Sequence, residues 1–118
     1  MTSRPRRTPP RRASLRVRVL AGSAVAIGPG KADLLDAIRA TGSISAAARS
    51  MRMSYRRAWL LVQTMNCCFA EPVVTTAKGG AEGGGATVTA TGRAVLARYR
   101  RLTDDAMTAF LPYLKNGH

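Results

Sequence analysis

The sequence predicts a mainly α-helical domain with a small β component: a winged helix-turn-helix with an N-terminal β-hairpin and a long C-terminal helix. Three observations lead there. The stretch "SISAAARSMRMSYRRAW" reads as two consecutive short helices separated by a tight turn. A glycine-rich segment is flanked by two β-prone runs, and the final part of the chain carries one sustained apolar stripe at helical spacing. A length of 118 residues suits one modest core plus a tail.

Residues 1–14 hold five arginines and three prolines with no apolar anchor beyond Met1 and Ala13, a composition expected to form a disordered tail. Residues 15–118 are expected to fold as a single domain. In "LRVRVL" the side chains of Leu15, Val17 and Val19 alternate to one face, and "SAVAI" follows to complete a short hairpin. Gly28-Pro29-Gly30 is expected to end that hairpin. "KADLLDAIRATG" then sets Leu34, Leu35 and Ile38 at helical spacing, with Asp33 and Asp36 near the start and Gly42 as a stop.

Ser45 is expected to cap a second short helix through Ala46, Ala47, Ala48 and Met51, and Ser54 a third, after a turn at Arg52-Met53. The small residues of the second helix allow close approach to the third. On the third helix Ala58, Leu61, Val62, Met65 and Phe69 share one side. Arg56, Leu60 and Gln63 lie opposite, with Tyr55, Trp59 and Arg57 on the flanks. Trp59 is assigned to packing. Residues 72–77 and 86–89 read as two strands around the glycine-rich tip 79–85. Thr89 or Thr91 caps a last helix on which Val95, Tyr99, Leu102, Ala106, Phe110 and Tyr113 recur at spacings of four and three. So long a stripe exceeds what a small domain covers and predicts a dimer interface.

Charge and composition restrict the function. The formal net charge is +13, from 19 Lys and Arg against 6 Asp and Glu, and 16 of the basic residues are arginine. The planar arginine fork matches phosphate and the guanine edge, which points to nucleic acid. No apolar run reaches the roughly 18 residues of a membrane span. "RRASLRVRVLAGSAVA" has the outline of a secretion signal, but Arg16 and Arg18 interrupt its apolar part. Cytoplasmic, nucleoid-associated placement is the expectation.

Adjacent Cys67 and Cys68 with a single terminal His118 do not make a zinc site, and ordinary packing roles are expected for both thiols. The glycine tract lacks the Gly-Lys-Ser/Thr ending of a nucleotide loop. With no internal histidine and few carboxylates, no nucleophile and base can be assembled; neither enzyme activity nor a cofactor is expected.

In a helix-turn-helix the third helix enters the major groove of double-stranded DNA, N-terminal end first. Tyr55, Arg56 and Arg57 are then the expected base or phosphate contacts, with Gln63 a deeper base reader and Ser45, Arg52 and Ser54 on phosphates. Lys78, Gly80 and Gly83 of the wing are expected at the sugar-phosphate backbone. A non-specific architectural DNA-binding protein and an interaction module forming mixed dimers with a full-length regulator are the alternatives.

Two stretches, "GPGKADLLDAIRATGSISAAARSMRMSYRRAW" and "KGGAEGGGATVTATGRAVL", carry Gly-Ser-Ile-Ser, Ser-Tyr-x-x-Ala-Trp, a glycine-rich wing and Thr-x-x-Gly in one order. In this the chain resembles, over about residues 15–114, the winged-helix domain of the ModE-type molybdate-responsive transcriptional regulators, related to LysR-type DNA-binding domains. The resemblance implies a bacterial homodimer on a palindromic operator, with residues 54–63 on the recognition helix and the last helix contributing to the dimer. ModE regulators usually also carry a C-terminal pair of oxyanion-binding domains. This chain stops at His118, so the expectation is either a one-domain regulator without the molybdate-binding domains or a fragment of a longer regulator. A molybdate response is implied only through the resemblance.

Overall fold

Leu34, Leu35 and Ile38 are spaced for one helix face, and that face becomes the centre of the core. In the computed structural model, which describes residues 13–77 and 85–115, all three are fully buried. Sequestering each stabilises the fold by about 1.5–3 kcal/mol. The elements run β1 (Val19–Ala21), β2 (Ala24–Ile27), α1 (Pro29–Thr41), α2 (Ile44–Ser50) and α3 (Tyr55–Cys68). They continue with β3 (Val74–Thr76), β4 (Ala86–Val88) and α4 (Ala90–Phe110), and a 3-10 turn, Leu111–Tyr113, follows. The order is that of a winged helix-turn-helix, mainly α with two small antiparallel hairpins, β1–β2 and β3–β4.

The N-terminal hairpin is shorter than expected. Leu15 and Val17 are half-buried but precede β1, and Val19 is 42% exposed, with the register shifting between Val19 and Leu20. The irregularity breaks the alternation that the sequence continues through Val19.

Gly28-Pro29-Gly30 opens α1 instead of merely closing the hairpin. Gly28 is the N-cap and Pro29 occupies the first turn, where its missing N–H costs nothing. Asp33 and Asp36 therefore fall beyond the first turn, and their partner is Arg100 of α4. Gly42 ends the helix in the left-handed region (φ 74°), its N–H bonded to the Ile38 carbonyl at 2.7 Å.

The cap of α2 is Ser43, not Ser45. Ser43 is extended and its Oγ accepts from the Ala46 N–H at 3.0 Å, whereas Ser45 sits exposed inside the helix. Both serines have the chemistry; packing decides, because Ile44, Ala47 and Ala48 are buried together at positions i, i+3 and i+4, which requires the helix to begin at Ile44. Ala47 and Ala48 lie in the same core cluster as Ala58, Val62 and Met65 of α3.

The wing is tied to the helices by polar side chains. Asn66 of α3 donates from Nδ2 to the Val74 carbonyl (3.0 Å), and its Oδ1 accepts from the Val73 N–H (2.8 Å). Thr89 caps α4 by accepting from the Gly92 N–H at 2.9 Å, while donating to the Pro72 carbonyl at 2.7 Å. A Cβ on Gly92 would overlap the Val73 carbonyl. Thr-x-x-Gly is thus a cap plus a close backbone approach. On the other side, the Ala86 N–H donates to the Gly42 carbonyl at 2.9 Å, joining β4 to the α1–α2 corner.

Candidate nucleic-acid interface

The turn before α3 sets its angle to α2. Met53 N–H donates to the Ala48 carbonyl (3.0 Å) and Arg52 N–H to that of Arg49 (3.1 Å), the paired bonds of a Schellman ending. Arg52 occupies the left-handed position of that motif, φ 58°, the only non-glycine residue with positive φ among those described. Glycine adopts this conformation without the steric penalty of about 1–2 kcal/mol that a side chain incurs. Ser54 then caps α3, its Oγ accepting from the Arg57 N–H at 3.0 Å.

At 100° per residue the faces of α3 separate cleanly. Ala58, Val62 and Met65 are buried, and Leu61 and Phe69 are half-buried, Phe69 as the C-cap just past the last turn. Arg56, Leu60, Gln63 and Cys67 form the outward row and are all exposed. Tyr55 and Trp59 flank it on one side, 54% and 41% exposed, and Arg57 on the other. Trp59 is therefore a surface side chain, contrary to the packing role expected for it: its position on the helix lies about 90° from the buried row. The cysteines also differ from expectation. Cys67 is exposed and Cys68 half-buried, both as free thiols in the last turn of α3.

The structure thus brings Arg52, Ser54, Tyr55, Arg56, Arg57 and Gln63 to one surface, with Ser45 exposed on the neighbouring α2. Ser54 is engaged as a cap. Lys78, Gly80 and Gly83 of the wing, and all of the arginine-rich segment except Ala13 and Ser14, lie outside the described residues. Leu60 is the surface residue that the sequence reading placed on the outward face without giving it a role.

The surface is cationic. Among the described residues, every ion pair involves Arg100 or Arg101 of α4, and none involves Arg52, Arg56 or Arg57. At the flank of α3, burial pushes the Lys31 ammonium below its ordinary pKa; Cys68 opposes that shift, and Arg18 and Arg57 add to it. Arg57 is thus within electrostatic reach of another basic side chain.

The α4 stripe divides in two. Gly92, Leu96 and Tyr99 are buried against the domain. The Tyr99 hydroxyl donates to the Val17 carbonyl at 2.7 Å, so this residue is already held by its own chain. Val95 and Ala106 are half-buried, while Leu102, Phe110 and Tyr113 are 47%, 58% and 84% exposed. Val19, Ile27, Phe69, Val95, Tyr99 and Leu102, together with Arg98 and Arg101, line an open, largely apolar groove of about 430 Å³. No described helix is long and apolar enough to cross a membrane, and no group of three metal-ligating side chains occurs among the described residues.

A winged helix-turn-helix domain whose third helix presents a basic face without a carboxylate partner among the described residues is the class that this geometry defines. Sequence comparison narrows it. The chain is 49% identical over 81 residues to the molybdenum-pterin-binding protein MopB of Rhodobacter capsulatus, a match covering 69% of this chain and 30% of that protein. It is 42% identical over 76 residues to the molybdenum transport protein ModE of Azotobacter vinelandii (64% of this chain, 28% of that one). With the DNA-binding transcriptional dual regulator ModE of Escherichia coli K12 it shares 35% identity over 82 residues (70% and 31%). No protein-family model matches the chain. Over the shared region the chain is similar to ModE-type regulators and the related molybdenum-pterin-binding proteins, and it spans about a third of the length of these relatives.

Proposed function

We propose that this chain is the DNA-binding part of a ModE-like transcriptional regulator, acting as a homodimer on a palindromic operator. The observation that carries the reading is the outward face of α3. Arg56 and Gln63 are exposed there, with Arg52 and Arg57 beside them and none of these arginines paired with a carboxylate of the described residues. Arginine reads the O6 and N7 of guanine with two hydrogen bonds, and glutamine does the same for adenine N6 and N7. Arg52 would contact phosphates, and Arg57 and Tyr55 bases or phosphates. Lys78, Gly80 and Gly83 would extend the contact along the backbone, and residues 1–14 would add phosphate contacts without sequence preference.

Dimerisation is supported by the exposed end of α4 and the apolar groove beside it. A second copy covering Leu102, Phe110 and Tyr113 would pair two recognition helices on a two-fold site.

The test is selection of bound sequences from a random duplex library at near-physiological salt, with and without molybdate, since molybdenum figures in the names of several relatives. One enriched two-fold motif is expected. Arg56→Ala should relax preference at one base pair by about 1–3 kcal/mol, measured against single-site operator variants. Binding without any enriched motif would replace this reading with a non-specific architectural role.

A further inference from the structure

The outward row of α3 contains a side chain that phosphate contacts and hydrogen-bonded base contacts leave unexplained. Leu60 lies at the centre of that row, one turn after Arg56 and one turn before Gln63, and is 46% exposed. Trp59 stands beside it, 41% exposed, and Tyr55 one turn earlier, 54% exposed. A single exposed leucine on a protein surface carries no message. Three large, exposed apolar or aromatic side chains on the outward row and one flank of α3, bordered by Arg52, Arg56 and Arg57, form a patch of mixed chemistry.

We infer that Leu60, flanked by Trp59, reads the 5-methyl group of thymine in the major groove, one helical turn from the base contacted by Arg56. The inference rests on the DNA-binding reading above and adds to it the base that the apolar part of the helix selects. In the major groove every base edge offers hydrogen-bond donors or acceptors, and thymine alone adds a methyl group. Leucine against guanine, adenine or cytosine would strip water from polar groups and return no hydrogen bond; against thymine it buries carbon on carbon. Charge selects the occupant of the patch. Its arginines have no carboxylate partner among the described residues, which suits a polyanion presenting isolated methyl groups better than an uncharged protein surface. The four-residue separation of Leu60 from Arg56 is about 6 Å along the helix, placing the thymine within about two base pairs of the arginine contact.

The experiment uses the full chain and the duplex enriched by selection, resynthesised with deoxyuridine replacing thymidine one position at a time. Affinity is measured by fluorescence anisotropy at fixed salt. One or two positions per half-site should lose about fourfold in affinity when the methyl is removed, the equivalent of one buried carbon. In Leu60→Asn, which keeps the length and removes the apolar surface, that loss should shrink to about twofold or less. Trp59→Ala should reduce it in the same direction, and circular dichroism of both variants checks that the exposed substitutions leave the fold intact. An enriched motif with no methyl-sensitive position overturns the inference while leaving the DNA-binding reading in place. So does methyl sensitivity that Leu60→Asn leaves unchanged. Absence of any enriched motif is a different result: it removes the operator reading, and the thymine contact with it.

Discussion

Arg52 stands where glycine would be cheaper. Its left-handed backbone ends α2 and aims α3, yet the side chain is exposed and makes no ion pair among the described residues. Strain retained without a structural return is the pattern expected of a functional contact. Arg52→Gly should therefore raise stability by about 1 kcal/mol in urea unfolding, while weakening operator binding and reducing its salt dependence by about one counterion. A variant both less stable and undiminished in binding would contradict this role. The serines give a second comparison at this scale. Ser43→Ala removes a cap and should cost about 1 kcal/mol, whereas Ser45→Ala, at an exposed position inside α2, should stay within about 0.5 kcal/mol. Thermal unfolding of the two variants side by side distinguishes them.

Among the elements, α4 organises the domain. Its first half is fixed by the Thr89 cap, the close approach of Gly92 to Val73 and the burial of Leu96 and Tyr99. Arg100 Nη2 meets Asp33 at 2.9 Å and Asp36 at 2.8 Å, but these side chains are 41%, 60% and 51% exposed. Solvent screening limits such a clamp to about 0–1 kcal/mol. Tyr99 matters more. Burial raises its phenol above the ordinary tyrosine value, and ionisation would remove the proton donated to Val17. A phenol with a raised folded pKa gives its full stabilisation below about pH 10 and loses it as pH rises through the raised value. Tyr99→Phe should be less stable at pH 7 by about 1 kcal/mol and should lose less stability than the parent above about pH 10. The difference between the two denaturation profiles isolates Tyr99, because Lys31 titrates in both. Parallel alkaline arms would show that Tyr99 has no part in the loss.

At the scale of the whole molecule, 19 basic residues against 6 acidic ones favour a polyanion as partner, and the exposed end of α4 is the surface on which the proposed second copy would sit. Phe110→Glu places a charge on the apolar surface proposed for the interface, one helical turn or more beyond the buried part of α4. It should shift the protein toward monomer in analytical ultracentrifugation while leaving the helical signal unchanged, and should weaken operator binding more than binding to a half-site. An unchanged sedimentation profile would move the interface elsewhere.

Much of this was legible from local rules. The spacing of Leu34, Leu35 and Ile38, the Ser54 cap, the Gly42 stop and the two faces of α3 follow from helical periodicity and capping chemistry, which act within a few residues. So the sequence by itself determined the element order, the winged helix-turn-helix architecture and the basic outward helix. Tertiary structure decided what local rules leave degenerate. It chose Ser43 over Ser45 because Ile44 had to be buried. It sent Asp33 and Asp36 to Arg100 and left Trp59 on the surface. It also turned Tyr99 inward to Val17, 82 residues away in the chain. Each of these depends on which faces meet across the core, and a one-dimensional pattern fixes a face without naming its partner.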